Sequence, residues 1–158
     1  MADISLVSIN IERAKHYDRI FPFLMSAKPD VICFQELYER DIALFERELG
    51  GTMHYVPMGN HPTDPPEKGA AMIGLGILTT FPSEYEVRYF AGSAEGARTD
   101  EPSTRGNHRA VLFADITKDD AVFEIATTHF TWTPDGTLDD GLFRNFPARL
   151  RLPHCKHT

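Results

Sequence analysis

The stretch Lys28-Pro29-Asp30-Val31-Ile32-Cys33-Phe34-Gln35-Glu36 decides how the rest of the chain is read. Lys28-Pro29-Asp30 has turn chemistry, because Pro presets its own φ and Asp bonds to nearby backbone. Val31-Ile32-Cys33-Phe34 is apolar without alternation, which predicts a strand buried on both faces. It ends on two polar residues, Gln35-Glu36. An earlier run, Ile4-Ser5-Leu6-Val7-Ser8-Ile9-Asn10, predicts another buried strand, ending on Asn10. Between them, Tyr17, Ile20, Phe21, Leu24 and Met25 fall near helical spacing over 16–27, with Pro22 starting or kinking the helix. Residues 38–49 repeat the helical pattern through Ile42, Leu44, Phe45 and Leu49, and Gly50-Gly51 stops it. Strand, helix, strand, helix implies a βαβ crossover.

Downstream the chain is richer in strands. Residues 54–58, 72–79 and 84–90 are strand candidates, and Gly74 and Gly76 predict a bulge or a close backbone approach. Residues 59–69 carry three prolines and read as a loop, as do residues 91–106. Residues 108–117 and 121–129 flank Lys118-Asp119-Asp120 and predict a β-hairpin, with Val111, Phe113, Val122 and Ile125 as core candidates.

Composition bounds the class. With 158 residues, 42% hydrophobic and 25% charged, a globular α/β domain is expected rather than disorder. No run approaches the roughly 18 apolar residues that span a bilayer. Met-Ala-Asp-Ile-Ser has no basic n-region, so no secretory signal is expected. Cys33 and Cys155 make no disulfide framework, which points to a reducing cytoplasm. The net charge of −7 argues against non-specific binding to nucleic acid. Residues 141–158 hold Arg144, Arg149, Arg151 and Lys156 and no acid, a local +4. The first 140 residues are left with 12 basic against 23 acidic groups, a balance of −11.

Asn10, Glu36 and His129 all sit at the ends of apolar strands, where α/β folds gather their functional groups. A carboxylate suits a hard, oxygen-preferring cation such as Mg²⁺. An amide orients a ligand without adding charge, and a histidine donates to or positions a phosphate oxygen. Taken singly, each has a plainer reading. Asn10 is a turn former, Glu36 a helix N-terminal acid, and His129 a hydrogen-bonded strand end. The pattern they form together is more specific.

That pattern resembles the endonuclease/exonuclease/phosphatase superfamily of DNase-like metal-dependent phosphoesterases. The matching text is Leu6-Val7-Ser8-Ile9-Asn10, then Pro29-Asp30 with Gln35-Glu36 four residues beyond. Next come Gly74-Leu75-Gly76-Ile77-Leu78-Thr79 with Phe81-Pro82, and Ala126-Thr127-Thr128-His129-Phe130. The resemblance covers residues 4–130 and implies a DNase-like α/β sandwich, two mixed sheets flanked by helices. It implies that Glu36 binds Mg²⁺ or Mn²⁺ and that Asn10 supports the metal and phosphate site. It implies that His129 stabilises charge developing on the scissile phosphate. Arg109 is a candidate phosphate contact, with a solvated strand-edge arginine as its plainer reading.

The family pattern continues with Gly-Asp-x-Asn and Ser-Asp-His, which supply the water-orienting pair and the base. Neither occurs after His129. The expectation is therefore the N-terminal part of such a domain over 1–140, truncated and impaired, with an atypical tail over 141–158. The tail's His154-Cys155-Lys156-His157 offers too few ligands for a usual zinc site. Codon degeneracy lets residues 146–151 be written so that the next frame encodes Phe-Gln-Arg-Asp-Leu-Asp or its Glu variant. Gln-Arg-Asp-Leu is common in the family's next helix. A frameshift between about Pro134 and Phe146 is the resulting hypothesis, and the underlying DNA checks it. The expected function is hydrolysis of a phosphodiester or phosphate monoester, in a small molecule or nucleic acid. The alternative is a non-catalytic remnant or binding module. A Rossmann-type nucleotide binder is disfavoured, since no Gly-x-Gly-x-x-Gly follows the first strand.

Overall fold

The computed structural model describes residues 2–63, 69–103 and 108–130. The opening crossover is β1 (Leu6–Asn10), α1 (Tyr17–Ala27) and β2 (Val31–Tyr38), with β1 parallel to β2. A 3₁₀ turn over Glu39–Asp41 leads into α2 (Ile42–Leu49). Then follow β3 (Thr52–Pro62), β4 (Ala70–Thr79), β5 (Ser83–Ala91), the short α3 (Ala94–Thr99), β6 (Arg109–Lys118) and β7 (Ala121–Thr128). One sheet has the order β1-β2-β4-β3 and is mixed. The other, β5-β6-β7, is antiparallel. This is the two-sheet α/β sandwich that the sequence predicts.

The period of β2 explains its lack of alternation. Val31 and Cys33 face the second sheet, in a core with Val56, Leu75, Ile77, Leu112, Ala114 and Ile116. Ile32 and Phe34 face the other way, toward Ile20, Leu24 and Phe45 of the two long helices. Both faces are apolar because both are covered. Phe45 stacks on Phe21 with centroids 4.8 Å apart and lies 4.7 Å from Phe34. Tyr17 donates to Asp41 Oδ2 at 2.7 Å and so ties α1 to the turn before α2. Helix α1 runs through Pro22, which lies on its exposed face.

Gly76 is a packing requirement. A Cβ there would stand 2.7 Å from Met53 Sδ and 2.8 Å from a methyl group of Leu37. At Gly74 a Cβ would run into the Val56 carbonyl oxygen. The close approach expected of these glycines is therefore present in β4. Cys33 is a free, buried thiol whose pKa burial pushes up to about 11, which makes it a core residue rather than a reactive one.

Asp30 joins three segments. Its Oδ2 accepts from the Ser5 N–H and Ser5 Oγ, both at 2.7 Å, and from Lys118 Nζ at 2.9 Å. The entry to β1, the entry to β2 and the end of β6 are thus held on one carboxylate. These bonds, the Ser5 backbone donor first and Lys118 next, lower its pKa from 3.8 to about 2. A depressed carboxyl stabilises the fold above its unfolded value, and the contribution disappears as pH falls through the folded one. Stability should therefore decline between pH 3.8 and about 2. Asp30→Asn should cost about 1–2 kcal/mol at neutral pH and flatten that decline. Urea midpoints of both proteins across this range check it, and parallel curves would refute the clasp.

Three local readings change. Residues 59–62, expected in a loop, extend β3 by pairing with 70–73 after a bulge between Pro57 and Gly59. Within the expected 91–106 loop lies α3, started by Ser93, whose side chain accepts from the Gly96 N–H at 3.0 Å. The hairpin at 118–121 is present, with Asp119 and Asp120 at φ 50° and 60°, the geometry of a tight hairpin turn. Its core assignment is corrected. Ala110, Leu112, Ala114 and Ile116 face the core. Val111 and Phe113 take the opposite face, and Val122 is 63% exposed. Ile125 does pack against the core. From Ala110 onward β6 alternates, so one choice of phase moves the whole set.

Among the described residues, no helix is long and apolar enough to cross a membrane. The tail over 141–158, its His154, Cys155 and His157, and the site of the frameshift hypothesis lie outside the described residues.

Candidate active site

Parallel pairing of β1 and β2 brings Asn10, the last residue of β1, opposite Gln35, but β2 does not end there as expected and runs on through Glu36 to Tyr38, still paired with β4. Gln35 continues the face of Val31 and Cys33 and therefore points at the second sheet. Its Nε2 donates to Thr127 Oγ1 of β7 at 2.9 Å and to Ser8 Oγ of β1 at 3.2 Å. This buried amide ties the end of β7 to β1 and β2. His129, two residues past Thr127, is drawn to the same place.

Glu36 lies where the pairing of β2 with β4 shifts register, between Phe34 and Leu37. Its φ is 57°, a left-handed conformation that few residues other than glycine adopt. The irregularity turns its carboxylate out of the strand's alternation, toward the end of β1. Glu12 and Arg13, just beyond Asn10, also have positive φ, 45° and 68°. Strained backbone of this kind clusters at functional sites.

The side chains gather around Glu36. Asn10 Nδ2 donates to Glu36 Oε1 at 3.3 Å and lies 3.4 Å from His129 Nε2. Asn10 Oδ1 is held by the Glu12 N–H at 2.9 Å, which turns the amide nitrogen inward. His129 Nε2 is 3.7 Å from Glu36 Oε1. Burial lowers the His129 pKa; Glu36 opposes that shift and Arg109 adds to it. Arg109 is only 6% exposed, so the solvated-edge reading is overturned. Burial pushes its guanidinium down and the Glu36 charge pulls it back up, so Arg109 feels the same carboxylate.

Two residues escaped the sequence reading. Arg13 Nη1 donates to Glu36 Oε2 at 3.4 Å and lies 3.5 Å from His61 Nε2. Neither shows in a local pattern. Arg13 follows no periodicity, and His61 fell in the stretch expected as a loop. The nearest hint was an arginine three positions past a strand-end asparagine. Beside Arg109, His108 accepts from the Ser93 N–H at Nδ1 (3.0 Å), and its Nε2 faces Asp100 Oδ2 at 2.9 Å. That clasp fixes the start of β6, and so the root of Arg109, against α3.

Among the described residues no group of three or more His, Cys, Asp or Glu gathers as a metal cluster. Mg²⁺ does not need one. It is commonly held by one or two carboxylates and keeps several waters. The Glu36 carboxylate, with its side chain 18% exposed, fits such an anchoring role. An open groove lined by Leu24, Lys28, Asp30, Glu48 and Thr80 borders the opposite end of β2 and is not part of this site.

No protein-family model and no curated protein sequence matches the chain. Solved structures do. An endonuclease/exonuclease/phosphatase family protein from Leptotrichia buccalis C-1013-b matches with a TM-score of 0.59 at 13% identity, over 89% of this chain and 60% of that one. The endonuclease/exonuclease/phosphatase from Bacteroides vulgatus matches with a TM-score of 0.56 at 14% identity, over 83% and 54%. Humanized D. rerio TDP2 matches with a TM-score of 0.50 at 18% identity, over 84% and 52%. The chain thus spans between 52% and 60% of the length of these structures. At such low identity it is the shared architecture that matches, and the chain is built on the endonuclease/exonuclease/phosphatase fold.

Proposed function

We propose that the chain acts as a divalent-metal-dependent hydrolase of phosphate esters. The observation that carries this is the meeting of Asn10, His129 and Arg13 at the bulged carboxylate of Glu36, whose charge also acts on the buried Arg109. A phosphate ester needs positive charge on its oxygens, a fixed orientation and a stabiliser for the charge that develops as the bond breaks. Arg109 binds the phosphate from a buried, rigid position. Asn10 orients Glu36 and the ester oxygens without adding charge. His129 stabilises the developing oxyanion. Glu36 holds Mg²⁺ or Mn²⁺, which when bound polarises the phosphate toward attack by water. The acidic body, −11 over the first 140 residues, favours a small phosphodiester or phosphate monoester over extended duplex DNA. The functional body is taken as 1–140 and the basic tail as 141–158.

A second reading is a binding module on the same scaffold, in which Arg13 and Asn10 beside Glu36 hold a ligand without turning it over. Mg²⁺-dependent hydrolysis of bis(p-nitrophenyl) phosphate separates the two. Turnover by the wild-type chain that vanishes in Glu36→Gln supports the hydrolase. Equal background from both supports the binding module.

A further inference from the structure

Arg13 is poorly satisfied where it sits. Its side chain is 16% exposed, and its backbone φ of 68° holds it in a turn rather than on a strand or helix. A guanidinium carries five N–H donors in a rigid fork. Here Nη1 serves two partners at 3.4 and 3.5 Å, near the outer limit for a hydrogen bond. Nε is buried with no hydrogen-bond partner among the described residues. Buried donors are normally paired, so one left open beside a reactive carboxylate calls for an acceptor.

His61 explains how the arginine is held. The His61 Nδ1–H donates to the Pro62 carbonyl at 2.7 Å, which fixes the ring with Nε2 facing Arg13 Nη1 at 3.5 Å and so braces the guanidinium. Arg13 is within hydrogen-bond reach of Glu36, and the charge of the same carboxylate acts on the buried Arg109. A terminal phosphate carries up to two negative charges and three free oxygens. An internal diester carries one charge and two free oxygens. The extra oxygen and charge are what an open guanidinium fork recognises.

We propose that Arg13, braced by His61, selects a terminal, dianionic phosphate over an internal phosphodiester at this site. The proposal rests on the phosphoesterase reading and narrows its substrate class. Arg13 is a specificity-determining residue, and His61 is a positioning residue that acts through it.

The full chain is assayed with Mg²⁺ on p-nitrophenyl phosphate and bis(p-nitrophenyl) phosphate. Arg13→Gln should lower the monoester-to-diester ratio of kcat/KM by about tenfold to a hundredfold, the worth of a charge-assisted bond. His61→Gln should move the ratio the same way by a smaller factor. A purely structural role would lower both substrates together, and an equal fall overturns the proposal. Calorimetric titration with inorganic phosphate gives a reading independent of turnover. Arg13→Gln should bind phosphate at least about tenfold more weakly than wild type. Unchanged affinity, or no binding by the wild type, overturns the assignment. If no variant turns over either ester, the hydrolase reading falls while this titration still decides Arg13. Should Arg13→Gln fail to melt cooperatively, Arg13→Lys replaces it. Lysine keeps the charge but loses the fork, and a ratio or phosphate affinity equal to wild type would count against the proposal.

Discussion

Glu36→Gln is expected to lower Mg²⁺-dependent phosphoester hydrolysis by about a thousandfold or more. The substitution keeps shape and removes charge. Glutamine fills the same volume at the register shift of β2, so the strand end and its left-handed backbone can persist. A neutral amide is a poor ligand for a hard cation, which prefers carboxylate oxygen. It also takes from Arg13 the carboxylate it is paired with and removes the negative charge that acts on Arg109. Stability should fall modestly, by about 1–2 kcal/mol, because the hydrogen-bond acceptor survives but the ion pair does not. Three measurements separate the effects: initial rates on bis(p-nitrophenyl) phosphate, Mn²⁺ affinity by electron paramagnetic resonance, and a urea midpoint. Loss of rate and Mn²⁺ affinity with a near-native midpoint is the expected outcome. Wild-type Mn²⁺ affinity in the variant would remove Glu36 from the metal site.

His129→Gln is the second large effect, an expected loss of about a hundredfold to a thousandfold in kcat. His129 belongs to the site through Asn10, 3.4 Å away, and through Glu36, 3.7 Å away. Its role is tied to charge that appears as the ester bond breaks, so the loss should fall on kcat more than on KM. Glutamine retains a donor of similar reach but not the ring, so some activity should persist. The fold should change little, because the tie between β7 and β2 is made by Thr127 and Gln35 and not by His129. A variant whose KM rises with kcat unchanged would instead make His129 a substrate-binding group. A Gln35→Leu control tests the scaffold. It removes the tie and should lower stability as well as rate.

The stretch from Lys28 to Glu36 shows what is legible locally. Asp30, Gln35 and Glu36 stand in one short segment and do three separate jobs. Asp30 clasps the strand entries, Gln35 ties the two sheets, and Glu36 centres the site. Turn chemistry and the apolar run identify the strand, and the polar end marks where to look. The same reasoning does not reach Arg13. Its contacts are with Glu36, 23 residues away, and His61, 48 residues away. No local period links residues so far apart. Arg109 is legible as a candidate, but its burial is not. At the head of an alternating strand, its exposure depends on what the second sheet is packed against.

By itself the sequence determined the order of the elements apart from α3, the doubly buried β2, and the polar residues Asn10, Gln35-Glu36 and His129 that follow the apolar runs. Those properties follow from backbone propensity and from apolar period, which are carried within a few neighbouring residues. Only the tertiary structure decided the phase of β6, the burial of Arg109 and the left-handed turn that aims Glu36. It alone brought Arg13 and His61 to that carboxylate. Each of these depends on how one sheet faces the other, and a strand's own residues do not record which of its sides will be covered.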